Sequence, residues 1–568
     1  MFQSSPPLKR YRFQWVHPDK KCDYRCCRSL YGSVAANGDS LRIHAALLSM
    51  PVRPLGYRHG PTGRRRVGLR GAPHRVRRES NFKVKLLSFE KSDTGRLALL
   101  LALFSYKLPG RKGAIMNPTS IAVVGGGLAG CECALRLARA GLDVTLFEQK
   151  PGFRSPVHVN DCLAELVCSN SLRSDEATSG VGLLKAEMRA LDSDFMAVAD
   201  ACRVPAGKAL AVDREAFAQA MTARVVAEPR IRLVERRIDS PDDPALAESG
   251  AGTVVIAAGP LASGELSASL ARTLGAEHCY FYDAIAPIVW THSLDMNVVF
   301  RASRYDCENG EPAGQGDYLN CPMSREEYEI FYQALLEARK VEARAFERET
   351  HFEGCMPVEA LAERGPRTLT FGPLKPVGFV DPRTGRRPWA VLQLRAENAN
   401  SETCNLVGCQ TKLTQPEQAR VFRLVPGLEQ AEFARYGSMH RNTYVNAPEA
   451  LNADLSLKTC SHVFLAGQIT GVEGYVESAA SGLWLGLVLA ARARGAELPT
   501  PPAESALGAL LRHLQTPSKR FQPSNAHFGL MPELGEKARK KDRKALYAAR
   551  ARAAFAAWLA GIGEAGAL

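Results

Sequence analysis

A glycine-rich turn between two short apolar strands constrains the fold of this chain more than any other feature. The run Ile121–Val124 is typical of a buried strand and leads into the segment GGGLAG (125–130). A helical pattern over 132–140 follows, and a second apolar run, Val144–Phe147, ends at Glu148. In this strand–helix–strand context a GxGxxG sequence places a pyrophosphate at the helix N-terminus, so the pattern predicts a Rossmann-like dinucleotide-binding domain.

The residues of this turn have distinct predicted roles. Gly125 makes the tight turn, Gly127 lets the backbone approach the pyrophosphate, and Gly130 lets the helix pack closely on the strand. Glu148 is expected to bind the ribose hydroxyl groups. The predicted cofactor-binding set also contains the neighbouring residues Gly126, Leu128 and Ala129.

Two later glycine-terminated strands favour FAD over NAD as the dinucleotide. The segment TVVIAAG (253–259) ends at Gly259, and VFLAGQIT (463–470) contains Gly467 and precedes a helix rich in small residues. A late strand-to-helix turn of this kind is similar to the element that closes over the flavin in flavoproteins with two dinucleotide folds. The alternative is an ordinary strand of a doubly wound sheet. Gly259 and Gly467 are therefore included in the predicted cofactor site.

The pattern of strands and helices predicts an α/β chain divided into several segments. A first FAD-binding part (116–270) and a second part (450–500) flank a long α/β insertion domain (271–449). A basic, helical C-terminal tail (501–568) follows. A chain of 568 residues is long enough for two or three domains.

The first 115 residues differ from the rest of the chain in charge. They contain 24 Lys and Arg against 6 Asp and Glu, whereas the remaining residues contain 49 against 53. They show no sustained helical or strand period, and their apolar run over 97–104 is far shorter than the roughly 20 residues that span a bilayer. Three interpretations are open: a disordered basic arm, a transit peptide, or translated sequence upstream of a start at Met116. The third is favoured, and we expect the extension to be disordered.

Several longer segments carry a family resemblance. They are GGGLAG (125–130), AELVCSNSLR (164–173), VPAGKALAVDR (204–214), YLNCPM (318–323), FEGCMPVE (352–359), FGPLKPVG (371–378), YGSMHRNT (436–443) and AGQITGVEGYVESAASGL (466–483). In content and order they resemble the folate- and FAD-dependent tRNA (uracil-5-)-methyltransferase family, TrmFO. The resemblance implies methylation of the T-loop uridine of tRNA to ribothymidine. It also implies three cofactors: 5,10-methylenetetrahydrofolate as carbon donor, NADH or NADPH as reductant, and FAD as the electron carrier.

The chemistry that the resemblance implies requires a thiolate. Carbon 5 of uracil becomes nucleophilic only after a thiolate has added to carbon 6. Cys321 in YLNCPM and Cys168 in AELVCSNSLR match cysteine positions of the family's motifs. We expect Cys321 to attack uracil and Cys168 to handle the proton or protect the flavin. On residue type alone, each could be a small buried apolar side chain instead. Cys355, in FEGCMPVE, is expected to be structural or to line a pocket.

Other functional classes are less consistent with the sequence. A metal site is not expected, because no CxxC pair has a matching second half. The 15 cysteines fit a reducing cytoplasm better than a disulfide framework. A flavin-dependent thiol–disulfide oxidoreductase would need a cysteine pair close to the fingerprint, whereas the CxxxxC pair Cys404 and Cys409 lies far along the chain. A GidA/MnmG-type flavoprotein acting on an anticodon uridine and a non-catalytic flavin-containing RNA-binding protein are the further alternatives.

The implied partner is the T-loop of tRNA, and no membrane partner is expected. Because the residues after 115 carry a small net negative charge, binding must depend on a local basic patch. A flipped uracil also requires a stacking partner, for which His440 and Tyr475 are candidates. The candidate basic residues are Arg364, Arg367, Lys375, Arg386, Arg387, Arg435, Arg441 and the run from Lys537 to Lys544.

Overall fold

The computed structural model divides the chain into two compact units, Met1–Gly113 and Ala114–Leu568. The structure describes residues 10–16, 27–37, 40–49, 117–155, 157–275, 279–304, 316–341, 356–518, 521–535 and 538–564.

In the first unit three strands form an antiparallel sheet in the order β1–β2–β3. They are β1 (Arg10–Val16), β2 (Cys27–Asn37) and β3 (Ser40–Ser49). Here the structure differs from the sequence analysis, which expected no regular structure before residue 116. The segment RYRFQWV (10–16) alternates polar and aromatic residues, the period of two that suits a strand. The apolar run over 97–104 and Met116 lie outside the described residues.

The second unit contains the remaining described strands and helices. The strands are β4 (Asn117–Val124), β5 (Asp143–Glu148), β6 (Ser171–Ser174), β7 (Arg203–Val204), β8 (Ala209–Val212), β9 (Ile231–Glu235), β10 (Ala251–Ile256), β11 (Cys279–Ala284), β12 (Ile288–Trp290), β13 (Phe300–Arg301), β14 (Leu319–Met323), β15 (Ala390–Ala396), β16 (Thr403–Leu406), β17 (Phe433–Arg435), β18 (Met439–Tyr444), β19 (Ser456–Leu457) and β20 (Cys460–Leu465). The helices are α1 (Leu128–Arg139), α2 (Gly180–Ala190), α3 (Asp194–Ala201), α4 (Arg214–Ala227), α5 (Pro244–Glu248), α6 (Gly264–Leu274), α7 (Arg325–Glu337), α8 (Val358–Ala362), α9 (Thr368–Phe371), α10 (Gln415–Phe422), α11 (Ala447–Ala450), α12 (Tyr475–Ala493), α13 (Ala506–Gln515) and α14 (Arg543–Glu564).

The dinucleotide sheet has the strand order β19–β20–β10–β4–β5–β9. All neighbours are parallel except β19, which pairs antiparallel with β20. Val254 of β10 pairs with Ala122 of β4 on one side and with Val463 of β20 on the other. Such apolar central strands suit a parallel sheet that is covered on both faces. The predicted Rossmann-like α/β fold is confirmed. Of the two later glycine-terminated segments, β10 pairs with the fingerprint strand β4, and β20 pairs with β10.

Helix α12 packs directly against the fingerprint helix α1. A Cβ atom on Gly482 of α12 would lie 2.2 Å from the carbonyl oxygen of Ala129, so only glycine allows this approach. Helices α13 and α14 of the predicted tail contribute buried residues to the same hydrophobic core. The tail is therefore, over its described residues, part of the folded core around the dinucleotide sheet.

A second, antiparallel sheet forms the centre of the predicted insertion. Its strand order is β13–β14–β15–β16–β12–β17, and buried side chains of α7 and α10 share its core. The long antiparallel pair β11 and β18 and the small sheet β6–β8–β7 complete the unit. The predicted boundary at residue 270 divides α6, which continues to Leu274. The domain boundaries stay predictions.

One buried carboxylate joins α2 to the start of α13. Glu187 accepts hydrogen bonds from the backbone N–H groups of Ala506 and Leu507, both at 2.8 Å, and is 5% exposed. Burial raises the pKa of this carboxyl group to about 7. The folded state therefore keeps a proton that the unfolded chain releases at lower pH.

This arrangement predicts a pH dependence of stability that can be measured. The contribution of protonated Glu187 is fully present below the ordinary carboxyl pKa and is lost as pH rises through about 7. Relative to Glu187→Gln, the free energy of unfolding of the wild type should fall between pH 5 and 7, with a limiting slope of about 1.4 kcal/mol per pH unit. Urea unfolding across this range measures it. The exposed Glu337→Gln is the control, and parallel curves for wild type and Glu187→Gln would contradict the expectation.

Candidate functional site

The carboxyl ends of β4, β5, β10 and β20 meet at the glycine-rich turn. The N–H of Gly125 donates to the carbonyl of Phe147, and the N–H of Ala257 donates to the carbonyl of Val124, both at 2.8 Å. Gly125 has φ +103°, and a Cβ there would lie 2.6 Å from the carbonyl oxygen of Ala257. Both the backbone angle and the crowding therefore require glycine at this position.

Gly127 and Gly130 differ sharply in their surroundings. Gly127 is the N-cap residue of α1, and a Cβ added to it would meet no atom within 4 Å. A Cβ on Gly130 would lie 1.9 Å from the carbonyl oxygen of Gly125. Gly127 thus borders open space beside the free N–H groups of the first helical turn, where an anion is stabilised. Gly130 lies in the closest contact between turn and helix.

The carboxylate of Glu148 is fixed at the same turn. Its Oε2 accepts the N–H of Gly126 at 2.7 Å, and its Oε1 accepts the N–H of Lys150 at 2.9 Å. Glu148 is 8% exposed. Each carboxylate oxygen has a second lone pair, so a bound hydroxyl group can still donate to it.

These residues line a cleft of about 1090 Å³. Its glycine-lined helix N-terminus would suit the pyrophosphate of a dinucleotide, and Glu148 would then be available to the ribose. Gly130 of the predicted set packs behind the turn. The predicted residues that line the cleft are Gly125, Gly126, Gly127, Leu128, Ala129, Glu148, Gly259 and Gly467.

Some polar side chains that line this cleft were not predicted from the sequence. Lys150 and Glu165 form a buried ion pair at 3.2 Å, and both line the cleft with Arg237. Lys150 lies two residues after Glu148, and Glu165 is the second residue of the segment AELVCSNSLR (164–173). Their positions beside two recognised motifs are the only sequence signal that could have indicated them.

A second cavity of about 1200 Å³ adjoins the cleft and contains Cys168. Both spaces are lined by Val167, Pro260, Gln468 and Tyr475, so they share a wall at these residues. The predicted thiol therefore lies next to the dinucleotide cleft. We refer to this second space as the Cys168 cavity.

The Cys168 segment is held by its backbone. The N–H groups of Cys168 and Ser169 donate to the hydroxyl oxygen of Tyr475 at 2.6 and 3.2 Å. The guanidinium of Arg395 donates to Ser169 Oγ and to Asn170 Oδ1, both at 2.8 Å. Burial raises the pKa of the Tyr475 phenol, with a further contribution from Cys168. Tyr475, a candidate stacking partner for the flipped uracil, thus also accepts hydrogen bonds from this segment.

Positive charge is concentrated around this thiol. Arg214, Arg395 and Arg435 each interact electrostatically with Cys168. Arg214 also forms an ion pair with Glu397 at 2.5 Å, and its side chain is only 12% exposed. Positive groups beside a cysteine favour its thiolate, which is the nucleophilic form. Arg435, a predicted tRNA contact, is half-buried here and donates to the carbonyl of Val157.

Cys321, the expected nucleophile, occupies a different environment from Cys168. It is 0% exposed, lies on β14 in the apolar core of the antiparallel sheet, and pairs with Leu392 of β15. Burial raises the pKa of its thiol, with smaller contributions from Glu429, Cys404 and Cys409. A nucleophile needs access and a lowered pKa, and this geometry gives Cys321 neither. Cys355 lies outside the described residues.

Four of the predicted tRNA contacts come together in an open cleft of about 2060 Å³. They are Arg367, Lys375, Arg386 and Arg387, and we call this space the basic cleft. The structure adds Arg325 and Arg383, together with two aromatic side chains, Phe371 and Trp389, that are 70% and 39% exposed. The guanidinium carbon of Arg367 lies 5.1 Å from the ring centre of Phe371, and that of Arg325 lies 5.3 Å from that of Trp389.

The remaining predicted tRNA contacts are not part of the basic cleft as the structure describes it. Arg364 does not line the basic cleft, and the side chains of His440, Arg441 and Lys537 lie outside the described residues. Cys404 and Cys409 are free and buried.

Within the part of the chain that the structure describes, no helix combines the length and apolar character needed to cross a membrane. Over those same ranges, no group of three or more His, Cys, Asp or Glu side chains could hold a metal ion.

Comparison with known proteins first identifies a class. Residues 120–497 match the family model described as "Glucose inhibited division protein A". Two crystal forms of Aquifex aeolicus GidA superpose with a TM-score of 0.53, at 17% and 16% identity, over 78% of this chain and 73% and 76% of those chains. The chain therefore has the fold of the GidA class of proteins.

Curated relatives narrow the assignment. Proteins named "Methylenetetrahydrofolate--tRNA-(uracil-5-)-methyltransferase TrmFO" from several organisms match this chain, among them the following three. The Nitratidesulfovibrio vulgaris protein is 67% identical and the Oleidesulfovibrio alaskensis protein 65%, covering 92% and 97% of those chains. The Lawsonia intracellularis protein is 57% identical over 98% of its length. Each match covers 78% of this chain, which belongs to the TrmFO family.

The contrast between two glycines gives a test of the dinucleotide site. Gly127→Val should reduce bound FAD at least about tenfold and leave the chain folded, because the new side chain enters open space where the pyrophosphate must approach. Gly130→Val should instead destabilise the protein, because its Cβ would overlap the Gly125 carbonyl. Flavin absorbance per chain and circular dichroism measure the two effects. A Gly127→Val protein with normal flavin content would refute this placement.

Proposed function

We propose that this chain methylates carbon 5 of the T-loop uridine of tRNA to give ribothymidine. The carbon donor is 5,10-methylenetetrahydrofolate, and the electrons come from NADH or NADPH through FAD. The relatives named above carry this folate- and tRNA-dependent activity in their names. The observation that supports it most directly is the position of Cys168, in a cavity adjoining a dinucleotide cleft and surrounded by guanidinium groups. A reaction on tRNA with these cofactors is expected in the cytoplasm.

The dinucleotide cleft supplies the binding site for FAD. The N-terminus of α1 would hold the pyrophosphate, and Glu148 would accept hydrogen bonds from the ribose. FAD supplies hydride transfer when it is bound. The shared wall at Val167, Pro260, Gln468 and Tyr475 supports a position for the reacting base beside that cofactor.

We propose Cys168, rather than Cys321, as the residue that forms the bond to uracil. The Cys168 sulfur adds to carbon 6, the electrons of the carbon 5–carbon 6 double bond move to the carbonyl at carbon 4, and carbon 5 becomes the nucleophile. After the methylene unit has bonded to carbon 5, loss of the carbon 5 proton expels the folate amine and leaves an exocyclic methylene group. When this group accepts a hydride and becomes methyl, the carbon 5–carbon 6 double bond re-forms, the sulfur–carbon 6 bond breaks and the Cys168 thiolate is released. Arg214 and Arg395 favour the thiolate at the start and at the end of this sequence.

Tyr475 is a positioning residue in this proposal. Its hydroxyl oxygen accepts the N–H groups of Cys168 and Ser169, so it fixes the backbone that carries the thiol. Its position at the start of α12 connects this backbone to the helix that packs on α1. Cys321 contributes to the core of the antiparallel sheet.

The cysteine assignment is tested with T-loop RNA that carries 5-fluorouracil at the target. Fluorine cannot leave as a proton does, so the covalent adduct accumulates on the attacking residue. Cys168→Ala should still bind FAD, but its methylation rate should fall at least about a hundredfold and it should form no adduct. Cys321→Ala should keep the adduct and lower stability by about 1 kcal/mol, because it removes only a buried sulfur atom.

Gel electrophoresis of the protein–RNA adduct, methylation rates and thermal unfolding separate these outcomes. An adduct that persists in Cys168→Ala and disappears in Cys321→Ala would restore the assignment made from the sequence. An adduct that persists in both would require another thiol, and Cys355→Ala is the next variant to measure.

We propose the basic cleft as a surface that binds tRNA. Its six guanidinium and ammonium groups face two acids, Glu327 and Asp381, of which Asp381 pairs with Arg383 at 3.0 Å. Phosphates are bound by such groups, and unpaired bases stack on exposed aromatic rings such as Phe371 and Trp389. The cleft lies close to the Cys168 cavity, because Gly408 of that cavity packs on Pro373, two residues before Lys375.

Substitutions in the basic cleft should weaken RNA binding without altering the chemistry. Arg386→Ala should reduce the dependence of log affinity on log salt by about 0.7 to 0.9 for each phosphate contact removed. Phe371→Ala should cost about 1–3 kcal/mol of binding free energy if one base stacks on it. FAD content and the rate at saturating RNA should stay unchanged. Arg230→Ala, an exposed arginine at the dinucleotide sheet, is the control, and an equal salt effect there would contradict the assignment.

A further inference from the structure

Among the residues that the structure describes, three buried polar atoms at the Cys168 cavity have no hydrogen-bond partner. They are Oδ1 and Nδ2 of Asn442 and Nδ2 of Asn405. Both residues line the cavity, and they are 1% and 3% exposed. A buried amide without a partner lowers stability, so such groups are retained where a ligand pairs with them.

A neighbouring asparagine shows the opposite, structural arrangement. Asn170, two residues after Cys168, uses its whole amide inside the protein. Its Nδ2 donates to the carbonyls of Val212 and Ala396 at 3.0 and 2.9 Å, and its Oδ1 accepts from Arg395. The unpaired amide of Asn442 and the unpaired Nδ2 of Asn405 are therefore a distinct feature of this cavity wall.

The two asparagines are held on different strands. Asn442 lies on β18 and pairs in register with Phe281 of β11. Asn405 lies on β16 between Ile288 of β12 and Arg395 of β15. Because strand pairing fixes each backbone, the two amide groups can move only by rotation of their side chains. Rotation of the Asn442 amide still offers one donor and one acceptor in either orientation.

The three atoms together offer two donors and one acceptor. In the edge of a cyclic imide, an N–H donor lies between two carbonyl acceptors. Such an edge can therefore pair with the two donors and one acceptor of the asparagines. Cytosine presents a carbonyl, an unprotonated nitrogen and an amino group along the corresponding edge, so it would pair only with the opposite orientation of the Asn442 amide. The pterin ring of a folate presents an amino group, an N–H and one carbonyl, which does not match.

We propose that Asn442 and Asn405 form a recognition site for a cyclic imide edge in the Cys168 cavity. The inference rests on the proposed function, which brings two such edges to this region: that of the target uracil and that of the isoalloxazine ring of FAD. In the first case the site holds the target uracil through its imide edge. In the second it orients the flavin ring.

The experiment compares Asn442→Leu and Asn405→Leu holoenzymes with the wild type. RNA affinity is measured with uridine and with 3-methyluridine at the target, because the methyl group removes the N–H of the imide edge. FAD content, the flavin absorption spectrum and the KM for methylenetetrahydrofolate are measured in parallel. Asn446→Leu is the matched control, because its Oδ1 is also buried and unpaired but it lies outside this cavity.

Recognition of uracil predicts that the wild type binds the 3-methyluridine RNA at least about tenfold more weakly than the uridine RNA. Asn442→Leu should abolish this difference, and Asn446→Leu should retain it. Recognition of the flavin predicts instead that both cavity variants lose FAD at least about tenfold or shift its absorption spectrum, while the control does not. Either result supports the imide site and identifies its ligand.

Two results would overturn the inference: unchanged RNA discrimination, flavin content and spectrum in both variants, or an effect limited to the KM for the folate. Asn442→Asp keeps the shape of the side chain and removes its donor, so it provides the same test if the leucine variants fail to fold. Failure of the proposed function is distinguishable, because a wild type that does not methylate RNA can still be measured for binding and flavin content.

Discussion

The contact between the Gly125 carbonyl and Gly130 is the constraint on which the rest of the site depends. It allows α1 to begin directly against the end of β4, so the free N–H groups of its first turn open into the cleft. The same turn fixes Glu148 through the N–H of Gly126. A larger residue at Gly130 would separate strand from helix and displace each of these groups together.

The antiparallel sheet contributes to the site through Arg395. This guanidinium on β15 bonds Ser169 and Asn170, which follow Cys168, while Asn170 returns a bond to the carbonyl of Ala396. The thiol segment is therefore attached to the antiparallel sheet by side chains and to α12 by the Tyr475 hydroxyl. The insertion is thus a structural part of the site as well as a surface for a partner.

The sequence was sufficient for those parts of the site that are local along the chain. The fingerprint turn and Glu148 were predictable because 28 residues contain a strand, a tight turn, a helix and a second strand. The environment of Cys321 was not predictable, because its burial depends on α7, β15 and residues far along the chain. The basic cleft was partly predicted from its arginines, whereas Phe371 and Trp389 were missed because their exposure is a tertiary property.

Helix α12 has a consequence for how such a site can change over time. At its start, Tyr475 holds the Cys168 backbone. About two turns later, Ser481 accepts the N–H of Gly467 and Gly482 packs against Ala129. Because the helix is rigid, the number of residues between Tyr475 and Gly482 sets the distance between the thiol and the dinucleotide turn. Substitutions can alter the chemistry at either end, but an insertion or deletion between them would move both reacting partners out of register.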